Sequence, residues 1–441
     1  VTFQLCHVAM PWRFLCLLSV SSGLAGDGVC QAGAEAECGE VNVLKIKVRK
    51  GTGLLEKPVF YGRPILRIPD SALLQADEKL QQKVQQYMSD RPLTFGSSDG
   101  EAEQILTLAL ALLHEQRQGG NSFVKAVTKE EPPLLLLLTE RQRAILAGTT
   151  VESLPEQAKE ILNAMISMGE VIEEATWALG VILRRAKHVI SPEDGKRLLR
   201  LAMLPELLAL RHHPDAAQAP PLHHATVTLG GQERNVLLRA AERDYQADEE
   251  IFLWSGRFSE SELILRGTRS ESSFKNPTGV GGKVSIPENW NSNPRTPNYK
   301  EFRKFNCTSQ EAFEVRLSKK GWPMRSFVRC FRVAWLLLNN WYKPQVINQT
   351  NLLDKWPPPK KYSHEDWLGW TQADQATNLQ IQEYCQAMRT GLRESITSVM
   401  AEDFRTSQDP VDQQLWRIRS EESKAFKECI ALAKSTGITG S

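Results

Sequence analysis

Four histidines near the middle of the chain are the first residues whose type and spacing suggest chemistry, because neutral imidazole nitrogens are common metal ligands. They form two adjacent pairs, His212-His213 and His223-His224, on either side of a loop rich in proline and alanine. Neighbouring loop residues usually point in different directions, and no cysteine or carboxylate stands at ligand spacing from either pair. We therefore predict solvated loop histidines and no metal site.

The eight cysteines form no motif of a reactive or metal-binding kind. None belongs to a Cys-x-x-Cys sequence, which excludes the usual zinc-finger and thioredoxin-like patterns. They are spread thinly over 441 residues, whereas disulfide frameworks are dense in short chains. The sequence therefore predicts isolated thiols. Two glycosylation sequons, at Asn306 and Asn348, count only if the chain is secreted.

Residues 243–268 predict a strand followed by a short helix. A polar turn leads into a short apolar run, and the Ser-Gly pair at Ser255 ends that strand. Ser259 and Glu262 have the spacing of a capping box, in which each side chain binds a backbone N–H of the other's turn. Gly267 then permits the left-handed conformation that closes a helix.

A second group of short strands is predicted near the beginning of the chain. Residues 43–48 alternate between apolar and polar side chains, which is typical of a half-buried strand. Residues 51–54 (Gly-Thr-Gly-Leu) follow as a tight turn, and residues 64–69 are another short strand bounded by prolines. Taken alone, the Gly-x-Gly sequence indicates a hairpin turn and no particular ligand.

These motifs together resemble the SET domain, in the branch typified by the Rubisco large-subunit lysine methyltransferase. The matching residues in its C-terminal part are 249–253 (Glu-Glu-Ile-Phe-Leu), Gly256, Ser259 and 262–265 (Glu-Leu-Ile-Leu). The hairpin and the proline-bounded strand match the start of that fold, and the family's order is kept from about residue 41 to residue 433. The resemblance implies an α+β protein: a SET-like β-fold with a helical insert, followed by a mostly α-helical C-terminal domain.

The resemblance also implies a domain organisation. The expected parts are a leader at 1–40, a SET domain at 41–268 with its helical insert at about 76–190, a linker at 269–300, and a helical substrate-binding domain at 301–441. Periodicity supports the helical parts. The expected helices are 76–90, 105–113, 153–189 with an interruption at Gly169, 326–337, 378–404 and a last helix that ends near 434.

In the family, the backbone around the Gly-x-Gly and the positions of an Arg and an Asn-His pair bind S-adenosylmethionine, and two tyrosines orient the lysine amine. The cofactor-binding positions that this implies here are Gly51, Thr52, Gly53, Leu54, Arg185, Arg211 and His212. The catalytic positions are Ser255, Arg266 and Gly267.

Three of these positions differ from the family's pattern. Arg211 stands where the family has the Asn, and an arginine has hydrogen-bond donors but no acceptor. Ser255 replaces one tyrosine, and Arg266-Gly267 stands where the catalytic tyrosine is expected. Two functions therefore remain open: an S-adenosylmethionine-dependent protein-lysine N-methyltransferase, and a catalytically inactive SET-derived module that binds protein.

Both functions imply a protein or peptide partner that binds the C-terminal helical domain. Seven of the eleven tryptophans lie between residues 290 and 370, and clustered Trp with Arg is typical of protein-recognition surfaces. Core packing is the alternative interpretation, and it is the better one for the tryptophans at 335 and 341.

Composition excludes other partner classes. The net charge of +2 gives no overall attraction to nucleic acid, and no apolar run is long enough to span a bilayer. We expect a monomer. Residues 10–26 have the charge, apolar core and small-residue end of a signal peptide. The expected location is the plastid or the secretory route if they are a signal, and the cytoplasm otherwise. A secreted glycoprotein is a third interpretation.

Overall fold

The computed structural model of the chain describes most of the residues beyond 45. The described residues are 46–49, 52–69, 73–96, 100–119, 127, 131–193, 196–203, 212–213, 221–229, 232–241, 243–254, 258–267, 281–283, 305, 307, 314–317, 323, 325–338 and 367–435. The expected leader and all of the expected linker except residues 281–283 lie outside them.

The chain divides into two compact units that are each discontinuous in sequence. Unit one consists of Val1–Phe95, Asp99–Leu136 and Gln157–Arg257. Unit two consists of Gly96–Ser98, Leu137–Glu156 and Phe258–Ser441. Such a grouping by contacts does not show which parts fold separately, so the predicted domain boundaries stay a prediction.

Unit one is built from short strands. They are β1 (Ile46–Arg49), β2 (Thr52–Leu55), β3 (Pro64–Pro69), β4 (Lys187–Glu193), β5 (Lys196–Ala202), β6 (His212–His213), β7 (His223–Leu229), β8 (Gln232–Ala240) and β9 (Leu253–Trp254). Five of them form a sheet in the order β3-β8-β7-β4-β5. β4 and β7 run parallel, and the other neighbours in that sheet run antiparallel.

β3 contributes several buried apolar side chains to the core of the sheet. Ile65, Leu66 and Ile68 are fully buried in a core that also contains Leu237 and Ile251. β3 pairs with β8 so that Ile68 lies opposite Leu237. The predicted strand at 64–69 is confirmed, and burying one such side chain contributes about 1.5–3 kcal/mol.

The helical insert lies between β3 and β4. Its helices are α1 (Glu78–Asp90), α2 (Glu101–Arg117), α3 (Leu134–Leu137), α4 (Glu140–Leu146), α5 (Leu154–Ser167) and α6 (Ile172–Arg185). The predicted interruption at Gly169 is confirmed, because Gly169 has φ 97° between α5 and α6. A positive φ is readily adopted by glycine and stops a helix. The predicted end of this helical stretch near residue 189 is wrong, because Ala186 is extended and Lys187–Glu193 form β4.

Unit two is mostly helical beyond a small two-stranded sheet. Its elements after residue 258 are α7 (Glu260–Leu265), β10 (Gly281–Lys283), β11 (Glu314–Arg316), α8 (Arg325–Leu338), α9 (Trp367–Glu394), α10 (Ser398–Thr406) and α11 (Pro410–Ser435). Phe327, Ile381 and Phe426 share its core. Arg332 of α8 and Asp374 of α9 form a buried ion pair with Nη2 and Oδ1 2.6 Å apart.

The predicted long helix at 378–404 is wrong, because the structure has two helices there. α9 ends at Glu394, and Thr397 begins α10 by accepting the backbone N–H of Met400 at 3.3 Å. The Ser395 hydroxyl donates to the carbonyl of Ala147, which lies far away in the sequence. A capping side chain and a tertiary hydrogen bond therefore override a periodicity that would allow one helix.

The prediction of isolated thiols is also wrong. Cys307 is bonded to Cys330, and Cys385 is bonded to Cys429. The second bond joins α9 to α11, whose packing brings together two cysteines that are 44 residues apart. Cysteine spacing could not predict this pairing, because the approach of two distant helices sets it. The cysteines in the first 45 residues lie outside the described residues.

The predicted fold class is confirmed: the chain is α+β, with a helical insert in the β-structure and a mostly helical C-terminal region. Within the part of the chain that the structure describes, no helix combines the length and the apolar composition needed to span a bilayer.

Gly148, in the turn after α4, provides a test of the packing in unit two. Its φ is +75°, and a Cβ there would lie 2.6 Å from Ser395 Oγ and 2.7 Å from the Gly391 carbonyl oxygen. We expect Gly148→Ala to lower the free energy of unfolding by about 2–4 kcal/mol, from left-handed strain and overpacking together. Denaturant unfolding measures this value.

Gly169→Ala is the matched control, because Gly169 also has a positive φ but nothing lies within 4 Å of its added Cβ. It should lower the free energy of unfolding only by the conformational cost, about 1–2 kcal/mol. Equal losses in the two variants would show that the close approach at Gly148 does not exist.

Candidate functional site

The candidate site lies in unit one, where residues 245–254 pair with strands from two distant parts of the sequence. At one end, the Leu55 N–H donates to the Glu249 carbonyl at 3.0 Å, and the Asp248 N–H donates to the Leu55 carbonyl at 2.7 Å. At the other end, β9 runs parallel to β6, with Leu253 opposite His212. One segment therefore joins the hairpin near the start of the chain to the first histidine pair. The prediction of loop histidines is wrong, because both pairs lie in strands, β6 and β7.

A buried arginine fixes the path of this segment. Arg239 of β8 is fully buried, and its guanidinium donates to the Phe252 carbonyl and, at 3.3 Å, to the Tyr245 hydroxyl. Tyr245 is itself only 2% exposed, so both ends of its side chain are held. Buried guanidinium groups have this bridging role because they carry five donors in a rigid arrangement.

The turn before β9 is closed by a surface ion pair. Arg243 Nη2 lies 2.5 Å from Glu249 Oε1, and the guanidinium lies 4.2 Å from the centre of the Tyr245 ring. The hydrogen bond from Arg243 lowers the pKa of Glu249, while partial burial opposes it and the Gln246 N–H assists. The Glu249 carboxylate thus stays ionised and holds the turn at neutral pH.

A buried histidine and glutamate lie beside β9, and the sequence analysis did not identify them. His188 of β4 and Glu101, the first residue of α2, are 4% and 5% exposed. Their Nε2 and Oε2 atoms are 4.0 Å apart, and the His188 ring lies 6.4 Å from that of Trp254. No local signal identified them, because β4 (Lys-His-Val-Ile-Ser-Pro-Glu) is mostly polar and Glu101 has the place of an ordinary first-turn carboxylate. Charged and polar groups are seldom fully buried.

The structure describes four of the predicted cofactor-binding positions in the strands and one in a helix. Thr52 and Gly53 lie in β2 opposite Arg49 and Val48 of β1, so the prediction of a tight turn over 51–54 is wrong: residues from Thr52 on already pair as a strand. Leu54 forms a β-bridge with Glu250, and His212 is the first residue of β6. Arg185 is the last residue of α6 and is half-buried. Gly51, Arg211 and Ser255 lie outside the described residues.

The other two predicted catalytic positions, Arg266 and Gly267, belong to unit two. The predicted capping box of α7 is confirmed: the Ser259 hydroxyl accepts the Glu262 N–H at 3.2 Å, and the Glu262 carboxylate accepts the Ser259 N–H at 2.5 Å. Gly267 closes the helix with φ 69°, as predicted. Arg266 is buried, with its guanidinium 3.9 Å from the centre of the Phe258 ring.

Chemically, these residues offer a backbone frame and buried aromatic groups. Among the residues that the structure describes, no group of histidine, cysteine, aspartate and glutamate is arranged to hold a metal ion. The roles assigned to the ten predicted site residues stay predictions.

Comparison with known proteins gives a structural likeness only. Neither a protein-family model nor a curated protein matches the sequence. The crystal structure of the SET domain of LSMT bound to lysine and AdoHcy covers 91% of this chain and 90% of its own, with 13% identity and a TM-score of 0.48. Rubisco LSMT bound to AdoMet also covers 91% and 90%, with 14% identity and a TM-score of 0.45. Likenesses this distant do not assign the chain to a family or to a ligand.

Proposed function

We propose that the chain is a SET-type protein that binds S-adenosylmethionine in unit one and transfers its methyl group to a protein lysine. The observation that carries the proposal is the pairing of residues 245–254 with β2 at one end and with β6 at the other. This pairing collects the two pieces of sequence that the SET resemblance assigns to one cofactor pocket.

The backbone of β2 fits a ligand of this kind. Gly53 lies inside a paired strand, where a glycine often marks a place at which a ligand approaches the backbone closely. The bridge from Leu54 to Glu250 and the buried Arg239 keep the neighbouring segment rigid, and a preorganised site loses less free energy on binding. When bound, S-adenosylmethionine would supply an electrophilic methyl group on a sulfonium.

A second candidate function is a SET-derived module that binds protein without methyl transfer. Arg266 favours it, because this residue stands at the catalytic position of the resemblance and is buried against Phe258. A guanidinium has no hydrogen-bond acceptor and stays protonated, so it cannot replace a phenol oxygen in orienting or deprotonating a lysine amine. The partner would bind the C-terminal helical region in either case.

Calorimetry of the full chain with S-adenosylmethionine tests the cofactor, and transfer of labelled methyl groups to lysine-containing peptides tests the reaction. We expect binding in the micromolar range, about −8 kcal/mol. Binding without transfer to any peptide would select the second candidate. No heat at millimolar cofactor would contradict the enzyme and would leave only a protein-binding module that does not use the cofactor.

Two adjacent histidines provide a matched pair of variants for the binding experiment. The resemblance gives a cofactor role to His212 and none to His213, although both belong to β6. His212→Ala should weaken cofactor binding about tenfold or more, which corresponds to about 1.4 kcal/mol, and His213→Ala should leave it unchanged. Equal effects of the two variants on cofactor binding would show that the His212 side chain has no particular role in it.

For location, we propose the secretory route among the alternatives that the sequence leaves open. The two disulfides support this choice, because structural disulfides form in oxidising compartments and are rare in reducing ones. Sequencing the N-terminus of the mature protein would test it. Retention of residues 10–26 in the mature chain would contradict it.

A further inference from the structure

Glu422, near the middle of α11, has a carboxylate that accepts three hydrogen bonds within unit two. Its Oε1 accepts the Thr150 hydroxyl at 2.7 Å and the Ser261 hydroxyl at 2.8 Å. Its Oε2 accepts the Thr150 backbone N–H at 2.9 Å. Because the side chain is 1% exposed, these three donors take the place of water. One carboxylate thus joins α11 to the turn after α4 and to α7.

The elements around Glu422 are held rigidly, so the carboxylate occupies a fixed position. One turn earlier on α11, the Arg419 guanidinium donates to the carbonyls of Ile145 at 3.0 Å and Ala147 at 2.5 Å. The same turn after α4 contains Gly148, which approaches the end of α9 too closely to accept a side chain. If the hydrogen bond between Glu422 and Ser261 breaks, α7 therefore moves more easily than α11.

Polar contacts connect α7, a short helix, to α11. Besides the bond from Ser261 to Glu422, Glu260 Oε1 lies 3.7 Å from Arg417 Nη2. Arg417 is half exposed, so this second contact is weak. The C-terminal end of α7 is the Arg266-Gly267 position. Glu422 is thus a buried group that holds the helix preceding the predicted catalytic position.

The charge of Glu422 depends on its surroundings. Burial raises its pKa above the ordinary value, while the Thr150 and Ser261 donors and the positive charge of Arg419 oppose burial without cancelling it. Among the other charged groups on the elements that pack here are Glu260 and Glu262 of α7, Arg266 at the end of α7, Glu140, Arg141 and Arg143 of α4, and Glu152, which accepts the Gly148 N–H in the turn after α4.

We propose that Glu422 is a proton-dependent latch that positions α7, and with it the Arg266-Gly267 segment, against α11. Protonated, the carboxyl donates its hydrogen to one of the two hydroxyls, each of which can accept it, and still accepts the Thr150 N–H. When the carboxylate is ionised, it still accepts the three hydrogen bonds, but its charge is buried without water, which destabilises the latched state. The importance of this latch for methyl transfer rests on the proposed function, but the latch itself does not.

The sign of the pH dependence follows from where the proton binds more tightly. The latched state has the raised pKa, and an opened α7 would return Glu422 to water and to its ordinary pKa. The latch is therefore strongest below the ordinary pKa of a glutamate and weakens as the pH rises through the raised value. Each unit of pKa difference between the two states changes the opening equilibrium about tenfold.

Hydrogen exchange of the full chain, followed by mass spectrometry of a peptide that covers 258–267, tests the proposal. After correction for intrinsic rates, the wild-type amides of α7 should exchange faster as the pH rises. Glu422→Gln keeps the shape and imitates the protonated form, so the opening of α7 should be independent of pH and slower than in the wild type near neutral pH. Glu422→Leu leaves the donors unpaired and should open α7 about tenfold more often.

Glu428→Gln is the control, because Glu428 is an exposed glutamate on the same helix, and it should behave as the wild type does. A Gln variant with the wild-type pH dependence would overturn the latch. If the Leu variant fails to fold, the Gln variant alone decides the question. Since no cofactor is present, failure of S-adenosylmethionine to bind leaves this result untouched, and failure of the latch leaves the proposed function untouched.

Discussion

Arg419→Met is expected to lower the free energy of unfolding by about 3–5 kcal/mol, because it leaves several buried acceptors without a donor. The Arg419 guanidinium donates to the carbonyls of Ile145, Ala147 and Leu392 and to the Ser395 hydroxyl. Methionine keeps most of the volume but has no donor. Burial lowers the pKa of Arg419 and the nearby Glu422 opposes this effect, so the group remains a cation. Denaturant unfolding measures the loss.

Arg405→Met is the matched control on the surface of the same unit. Arg405 is exposed and its ion pair with Glu402, 2.6 Å apart, is exposed as well, so no measurable change in stability is expected. If the two variants lose equal stability, the buried hydrogen bonds of Arg419 do not form in solution.

Replacing Cys385 and Cys429 together by alanine should lower the free energy of unfolding by about 4 kcal/mol. The chain between them is 44 residues long, and the entropy of the open loop in the unfolded state accounts for about that amount. Both sulfur atoms are buried between α9 and α11, so a reductant should act only slowly on the folded wild-type protein. Unfolding with and without reductant measures the contribution of the bond.

Peptide mapping provides the control for the disulfides. In a digest without reductant, the peptides that contain Cys385 and Cys429 should remain joined, as should those that contain Cys307 and Cys330. Recovery of these peptides as separate species from unreduced protein would contradict the pairing. The disulfide between Cys307 and Cys330 stays intact in the double variant. The stability of that variant should therefore still depend on reductant, but less than the stability of the wild type.

Local sequence signals predicted the parts of the fold that local forces determine. The capping box of Ser259 and Glu262, the closing Gly267 and the break at Gly169 were read from neighbouring residues, and all three are present. Each depends on a side chain or a backbone angle within one turn of helix. The strand at 64–69 was predicted for the same reason, because its period and its prolines are local.

Interactions between distant residues account for what the sequence did not predict. The break between α9 and α10 depends on the capping by Thr397 and on a hydrogen bond from Ser395 to Ala147. The Glu422 cluster joins residues from three separate stretches, and each of them has an ordinary polar sequence. Buried polar partners of this kind cannot be distinguished from surface residues until the helices that carry them have packed.

The long separation between the partners of α11 has a consequence for biosynthesis. Thr150 leaves the ribosome 272 residues before Glu422, which at ordinary translation rates is about 15–50 s earlier. The turn after α4 must therefore remain without its final partners while most of the remaining polypeptide is made. A nascent chain stopped before α11 would also leave Phe327 and Ile381 without Phe426 of the last helix. Such exposed apolar surface would make it a substrate for chaperones until α11 arrived.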